Sequence, residues 1–127
     1  MAQTIVPWPL QAPMLTTRTL LSTTTATPVA TWTPGGRNSP VMCGGYVSVP
    51  AGSATTLTLT IAWTDPDTGA DTYTWVAGTK LTGNTILPPV TVLAAAGSPV
   101  TVTATAGTAN VARVTIWTAA PAADEGR

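Results

Sequence analysis

The chain has 127 residues, of which 44% are hydrophobic and only 8% are charged, and five basic and five acidic residues give a formal net charge of zero. This length allows one domain with a buried core. The charge balance excludes the basic stripe that a nucleic-acid partner requires. No stretch approaches the ~18 unbroken apolar residues of a membrane span, so we expect no membrane partner. A surface with so little charge favours association with other protein.

The sequence also lacks the residues of common catalytic sites. It contains no histidine, which removes the Ser-His-Asp and Cys-His nucleophile pairs and the commonest zinc ligand. No phosphate-binding or dinucleotide-binding glycine pattern occurs. The single cysteine, Cys43, cannot form an intrachain disulfide and is expected to be a small buried thiol. We therefore predict no enzyme activity, no cofactor and no small-molecule substrate.

Residues 1–38 are predicted to form an extended N-terminal arm, because five prolines favour open chain geometry with at most a short strand over 15–22. Three of these prolines break any signal-peptide helix, so we expect the chain to stay in the cytoplasm until it assembles. The arm is too apolar for a disordered tail. Because its apolar side chains have no core of their own, we predict that they contact neighbouring subunits. The predicted interface residues are Ile5, Trp8, Leu10, Met14 and Trp32, together with Trp117 from the last strand.

Residues 39–120 have the pattern of β-strands and are followed by a small polar tail over 121–127. The clearest element is a hairpin over 54–76, in which Leu57, Leu59 and Ile61 alternate with threonines. The Gly44-Gly45 pair predicts a bulge or a close backbone approach. Short strands separated by turns, without helical periodicity, predict an all-β fold: an antiparallel β-sandwich or jelly-roll-like domain.

The hairpin turn contains three carboxylates, Asp65, Asp67 and Asp71, at alternating positions around Gly69. Such spacing permits a calcium loop, but the bidentate glutamate expected a few residues later is missing. The plainer interpretation is a turn whose aspartates bond their own backbone. We therefore predict no metal site.

Tryptophans and threonines each allow a second interpretation. Trp63 and Trp75 are predicted on the apolar face of the hairpin, whereas Trp117 is opposite in phase to Val114 and Ile116 and should face outward or across a subunit boundary. Aromatic faces can stack on sugars, but core and interface roles fit these positions better. The threonine-rich strand faces fit a solvated sheet surface, because an ice-binding array would need a stricter repeat.

Three segments resemble the small capsid decoration (cement) or head-fibre proteins of tailed bacteriophages: LTLTIAWTDPDTGAD at 57–71, VTVLAAAGSPVTVTAT at 90–105 and VARVTIW at 111–117. The family pattern is a strand ending in aromatic-Thr-Asp, a glycine turn, a hairpin around Ala-Gly and a closing alternating strand. Two features depart from it. The residues at 93–96 are wholly apolar where a basic residue is common, and Thr118 and Ala119 replace an acidic residue after the last strand.

This resemblance implies a virion structural protein on the outer capsid surface. It would be a homotrimer that binds the major capsid protein and stabilises the assembled shell. The alternatives are a phage tail or fibre-base module that binds a receptor or carbohydrate, which would need an exposed aromatic platform, and a calcium-dependent adhesin domain.

Overall fold

The computed structural model describes residues 14–120, and these residues form eight β-strands and no helix. The strands are β1 (Met14–Leu20), β2 (Thr27–Trp32), β3 (Ser39–Ser48), β4 (Thr55–Asp65), β5 (Gly69–Leu81), β6 (Asn84–Ala94), β7 (Val100–Ala106) and β8 (Arg113–Ala119).

The strands form two four-stranded antiparallel sheets. Sheet 1 has the order β1-β8-β3-β6, and sheet 2 has the order β2-β7-β4-β5. The chain crosses between the sheets at every connection except the β4–β5 hairpin, which is the strand order of a jelly roll. The predicted all-β class, an antiparallel sandwich of the jelly-roll type, is confirmed.

The core lies between the two sheets and follows the period-2 alternation of the strands. In β4, Leu57, Leu59 and Ile61 are fully buried and point inward, as predicted. Valines and alanines from β3, β7 and β8 complete the core, including Val47, Val102 and others. Burying one large aliphatic side chain stabilises the fold by about 1.5–3 kcal/mol, so this inner layer holds the sheets together.

Two strands lie within the segment that the sequence assigned to the arm. β1 pairs with β8 along its whole length, from Met14 opposite Ala119 to Leu20 opposite Arg113. β2 pairs with β7 and contributes Val29 to the core. The predicted boundary at residue 38/39 is therefore corrected, and the body of the domain includes residues 14–38. The N-terminal residues 1–13 and the tail 121–127 lie outside the described residues.

Proline did not prevent strand formation in β2 because of where the strand lies. β2 is an edge strand, and Pro28 sits at a break in its register with β7. Proline lacks a backbone N–H and is tolerated at such positions. An extended proline-rich segment and an edge strand have nearly the same backbone geometry, so local sequence does not separate them.

The thiol of Cys43 is fully buried in the core, as predicted, and burial raises its pKa to about 11. The unfolded chain loses this proton near pH 9, whereas the folded chain holds it to about pH 11. The free energy of unfolding should therefore fall as the pH rises between these two values. The contribution that is lost with this thiol is of the order of 2 kcal/mol.

Urea unfolding at pH 8 and pH 10.5 measures this loss, with Cys43→Ala as the matched control. The variant starts less stable, but it should lose less stability between the two pH values than the natural chain does. Equal losses in the two proteins would contradict the prediction.

Candidate interaction surface

The outer face of sheet 1 carries large apolar side chains that no other part of the described chain covers. Leu20, Tyr46, Ile86 and Leu93 are 39%, 36%, 75% and 43% exposed. At roughly 200 Å² for a large side chain, these fractions leave on the order of 400 Å² of their surface open to solvent. We call this surface the sheet 1 face.

Strand register brings several of these side chains together. Tyr46 of β3 pairs with Ile86 of β6 on one side and with Thr115 of β8 on the other, and Thr115 pairs with Arg18 of β1. Directly paired residues of antiparallel strands point to the same face, with Cβ atoms about 5 Å apart. These four residues therefore form one row across the middle of the sheet 1 face.

Ile86 faces outward because of a bulge in β6. Val92 is buried and Val90 is half-buried, so strict alternation would also turn Ile86 inward. Instead the register with β3 shifts by one residue between Val90 and Leu87, across Pro88-Pro89. This shift buries Leu87 and leaves Ile86 exposed. The prolines, which cannot donate to the ladder, thus create the most exposed apolar side chain of the face.

Trp117 lies in the next row of the same face. It is half-buried, whereas Val114 and Ile116 of the same strand are buried, so its predicted opposite phase is confirmed. A Cβ added to Gly44 of β3 would overlap three atoms of the Trp117 ring. The indole therefore lies directly on the glycine backbone. The close approach predicted for Gly44-Gly45 is confirmed, and the bulge lies opposite in β6.

The outer face of sheet 2 is chemically different. Its paired residues are mostly threonines, as in Thr58 opposite Thr105 and Thr60 opposite Thr103. None of the large exposed apolar residues of the described chain lies there. The two outside the sheet 1 face, Leu15 and Tyr73, lie on the edge strands β1 and β5 and pair with inward-phase positions of β8 and β4. The large exposed apolar side chains are therefore concentrated on the sheet 1 face, whereas the outer face of sheet 2 is mostly neutral and polar.

The predicted interface residues are distributed unevenly. Trp117 belongs to the sheet 1 face, whereas Trp32 lies in β2 and packs against the core, so its apolar character needs no subunit contact. Ile5, Trp8 and Leu10, and the side chain of Met14, lie outside the described residues. Tyr46 and Ile86 were not predicted, although apolar residues in both phases of β3 and β6 indicate that both faces of sheet 1 are apolar.

The aspartates of the hairpin turn bond their own backbone. One carboxylate oxygen of Asp65 accepts hydrogen bonds from the backbone N–H groups of Asp67 at 2.8 Å and Thr68 at 3.1 Å. Asp71 accepts from the N–H of Thr72 at 2.8 Å. Within residues 14–120 no group of three His, Cys, Asp or Glu side chains is placed to hold a metal ion. The geometry is that of the plain turn.

The two tryptophans of the hairpin point into the sandwich. Trp75 is only 9% exposed and its indole N–H donates to the carbonyl of Pro88 at 2.8 Å. Trp63 is half-buried and packs against the core. Trp75 therefore offers no free ring face for stacking on a sugar, and Trp63 is partly covered by the core.

No family model matches the sequence, and no curated protein is significantly similar to it. The structure is similar to a chain of the T13 particle of infectious bursal disease virus, with a TM-score of 0.55 and 9% identity over 87% of this chain and 31% of that chain. A chain of the Gx strain of this virus gives a TM-score of 0.56 and 10% identity over 91% of this chain and 34% of that chain. The chain thus spans about a third of the length of these viral chains.

A chain of the disulfide-linked pili that form Bacillus endospore appendages is 16% identical over 94% of this chain and 97% of its own, but its TM-score of 0.40 is too low to carry an argument. At 9–10% identity the two viral likenesses establish the fold alone. The chain therefore shares its β-sandwich with chains of a viral particle.

Proposed function

We propose that the chain is a virion structural protein that binds the outer surface of an assembled phage capsid as a decoration protein. Its partner would be the major capsid protein, and its action would be mechanical. A protein that binds only the assembled shell stabilises that shell by mass action, without catalysis or a cofactor.

The observation that carries this proposal is the sheet 1 face. Exposed apolar side chains grouped on one sheet, with Ile86 three-quarters exposed, often mark an interaction site. Interfaces are built around apolar and aromatic side chains with polar groups at the rim, and Tyr46, Ile86 and Trp117 are side chains of this kind. The threonine face of sheet 2 would then point to solvent.

Two further points support the proposal. The same fold occurs in chains of the infectious bursal disease virus particle. The segments at 57–71, 90–105 and 111–117 resemble those of the decoration proteins of tailed phages, although only the first forms a hairpin here, because β6 and β7 lie in different sheets. A homotrimer fits the resemblance. With residues 14–38 assigned to the body, the proposed arm is residues 1–13, and 13 residues in extended geometry would span up to ~45 Å, enough to reach a neighbouring subunit.

The alternative of a tail or fibre-base module that binds a receptor or carbohydrate finds less support. It would use an exposed aromatic platform, but Trp75 is buried and Trp63 packs against the core. Trp117 rests against Gly44 on the face that we assign to the capsid.

A binding experiment tests the proposed function. Expanded shells of the phage that encodes the chain, freed of it, are incubated with purified Ile86→Asp protein and pelleted. A charge buried in an apolar contact should weaken binding by roughly 30-fold or more. The matched control is Thr74→Asp, an exposed position on the outer face of sheet 2, which should bind as the natural chain does. The proposal would be contradicted if Ile86→Asp and Thr74→Asp bound the shells equally well, or if both lost binding to the same extent.

A further inference from the structure

A groove of about 310 Å³ opens at one end of the sheet 1 face. Its floor is the last row of the sheet, in which Leu20, Arg113, Ser48 and Asn84 are paired across the four strands. The full lining is Arg18, Leu20, Ser48, Val49, Pro50, Asn84, Asn110, Val111 and Arg113. The groove therefore combines two guanidinium groups, three neutral polar side chains and an apolar wall.

The two arginines of the groove have no acidic partner in the described chain. Arg18 and Arg113 are exposed and lie on neighbouring strands, one row apart on the same face. The carboxylates within residues 14–120 are Asp65, Asp67 and Asp71, all in the β4–β5 turn. Two like charges side by side are unfavourable unless an anion joins them, and guanidinium groups are well shaped to bind a carboxylate.

The acidic turn lies at the opposite end of the sandwich from the groove. β4 starts beside the β7–β8 connection, where the N–H of Gly107 donates to the carbonyl of Thr56 at 2.9 Å, and that connection leads into the groove. β4 ends beside the β6–β7 turn, where the N–H of Ala95 donates to the carbonyl of Thr64 at 2.7 Å. The strand of 11 residues therefore separates the two sites by about 35 Å.

One carboxylate of the turn is available for a partner. That of Asp65 already accepts two backbone N–H groups, and that of Asp71 accepts one. The side chain of Asp67 is exposed at the tip of the turn and accepts no hydrogen bond from the described residues. The neighbouring Pro66 adds an apolar surface of the kind that the groove wall can cover.

We propose that the groove binds the Asp67 turn of a second copy of this chain, so that copies associate head to tail. The carboxylate of Asp67 would pair with Arg18 and Arg113, while Pro66 would pack on the apolar wall. Exposed ion pairs contribute little affinity by themselves, but they fix the register and the choice of partner. A contact between two different surfaces of the same chain closes into a ring when its rotation allows, and a homotrimer is one such ring.

This inference requires only a second copy and not a capsid, so it is tested on the isolated full chain. Sedimentation equilibrium should show self-association whose dissociation constant rises about tenfold when the salt is raised from 50 to 500 mM, because salt screens exposed charges. Asp67→Lys and the double variant Arg18→Glu/Arg113→Glu should each be monomeric, because each places like charges at both ends of the contact.

Mixing these two variants is the decisive step. Each then offers a surface complementary to the other, so an equimolar mixture should associate again. The matched control is Arg37→Glu, which reverses an exposed arginine outside the groove and should associate as the natural chain does. Thermal melting of every variant checks folding, and Asp67→Asn offers a milder change if the lysine variant does not fold.

Several outcomes would overturn the proposal. A natural chain that stays monomeric at low salt has no such contact. If the double variant Arg18→Glu/Arg113→Glu still associates, the contact between copies uses another surface. Loss in the groove variant with full association of Asp67→Lys would mean that another acidic group occupies the groove, and a mixture that stays monomeric would refute the pairing itself.

Discussion

Replacing Gly45 with alanine is expected to lower the free energy of unfolding by about 3 kcal/mol or more. The φ angle of Gly45 is +153°, a region that side-chain-bearing residues rarely adopt. An added Cβ would overlap the backbone carbonyl oxygen of Thr115 in β8. This obstacle cannot rotate away as a side chain can, and moving it breaks the pairing of β3 with β8 at the centre of sheet 1.

Gly44 provides the matched control, because its obstacle is a side chain. A Cβ there meets the ring of Trp117, which can shift toward solvent, so Gly44→Ala should cost only about 1–2 kcal/mol. Adding Trp117→Ala removes the obstacle. Gly44→Ala/Trp117→Ala should then lose less free energy of unfolding than the sum of the losses in its two single variants. Gly45→Ala/Trp117→Ala should show no such gain.

Urea unfolding of the five variants measures these differences. An equal gain in both double variants would contradict the distinction between a backbone and a side-chain obstacle. Trp117→Ala, which removes the ring that lies on Gly44, should also weaken binding to shells if the sheet 1 face is the contact surface.

The β4–β5 hairpin could be predicted because everything that defines it is local. Leu57, Leu59 and Ile61 alternate strictly, and the turn between the strands carries proline, glycine and aspartates that satisfy their own backbone. The short strand that the sequence allowed over 15–22 corresponds to β1 (Met14–Leu20), but the sequence did not show β2, or that either strand belongs to the sandwich. Both are edge strands whose partners, β8 and β7, lie more than 60 residues away in sequence, so only the closed sandwich shows where they pair.

The candidate surface was missed for a related reason. Alternation shows which residues share a face, but it does not show which face is covered when both phases are apolar. Around Pro88-Pro89 it also fails locally, because the bulge reverses the phase between Val90 and Ile86. Only the register with β3 shows that Ile86 is the residue turned outward.

Trp75 donates a hydrogen bond to the bulge that exposes Ile86, so we expect Trp75 to affect both the stability of the fold and the sheet 1 face. Trp75 is itself the extra residue of a bulge in β5, because Leu59 pairs with Val76 while the next residue, Thr60, pairs with Thr74. The bulge turns the indole inward, and its N–H donates to the carbonyl of Pro88 in the other sheet. The contact joins the free edges of the two sheets, β5 and β6.

Trp75→Ala is therefore expected to lower the free energy of unfolding by about 3–5 kcal/mol, since it removes a large buried ring that joins two sheets. Trp75→Phe keeps most of the apolar volume but leaves the carbonyl of Pro88 without its donor, and should cost about 1–3 kcal/mol. The control is Tyr73→Ala, which removes an aromatic ring of the same strand that is 44% exposed, and this variant should cost less than either. A larger effect at Tyr73 would contradict the assignment.

Hydrogen exchange distinguishes this role of Trp75 from a general loss of stability. With the donor to Pro88 removed, the amides of β6 next to the bulge should exchange faster in Trp75→Phe than those of β3 and β8, which lie farther from the indole. If Ile86 depends on the bulge for its position, the same variant should bind shells less well than its remaining stability predicts. Uniform faster exchange across both sheets would mean that Trp75 only fills the core, and the bulge would then be fixed by the two prolines alone.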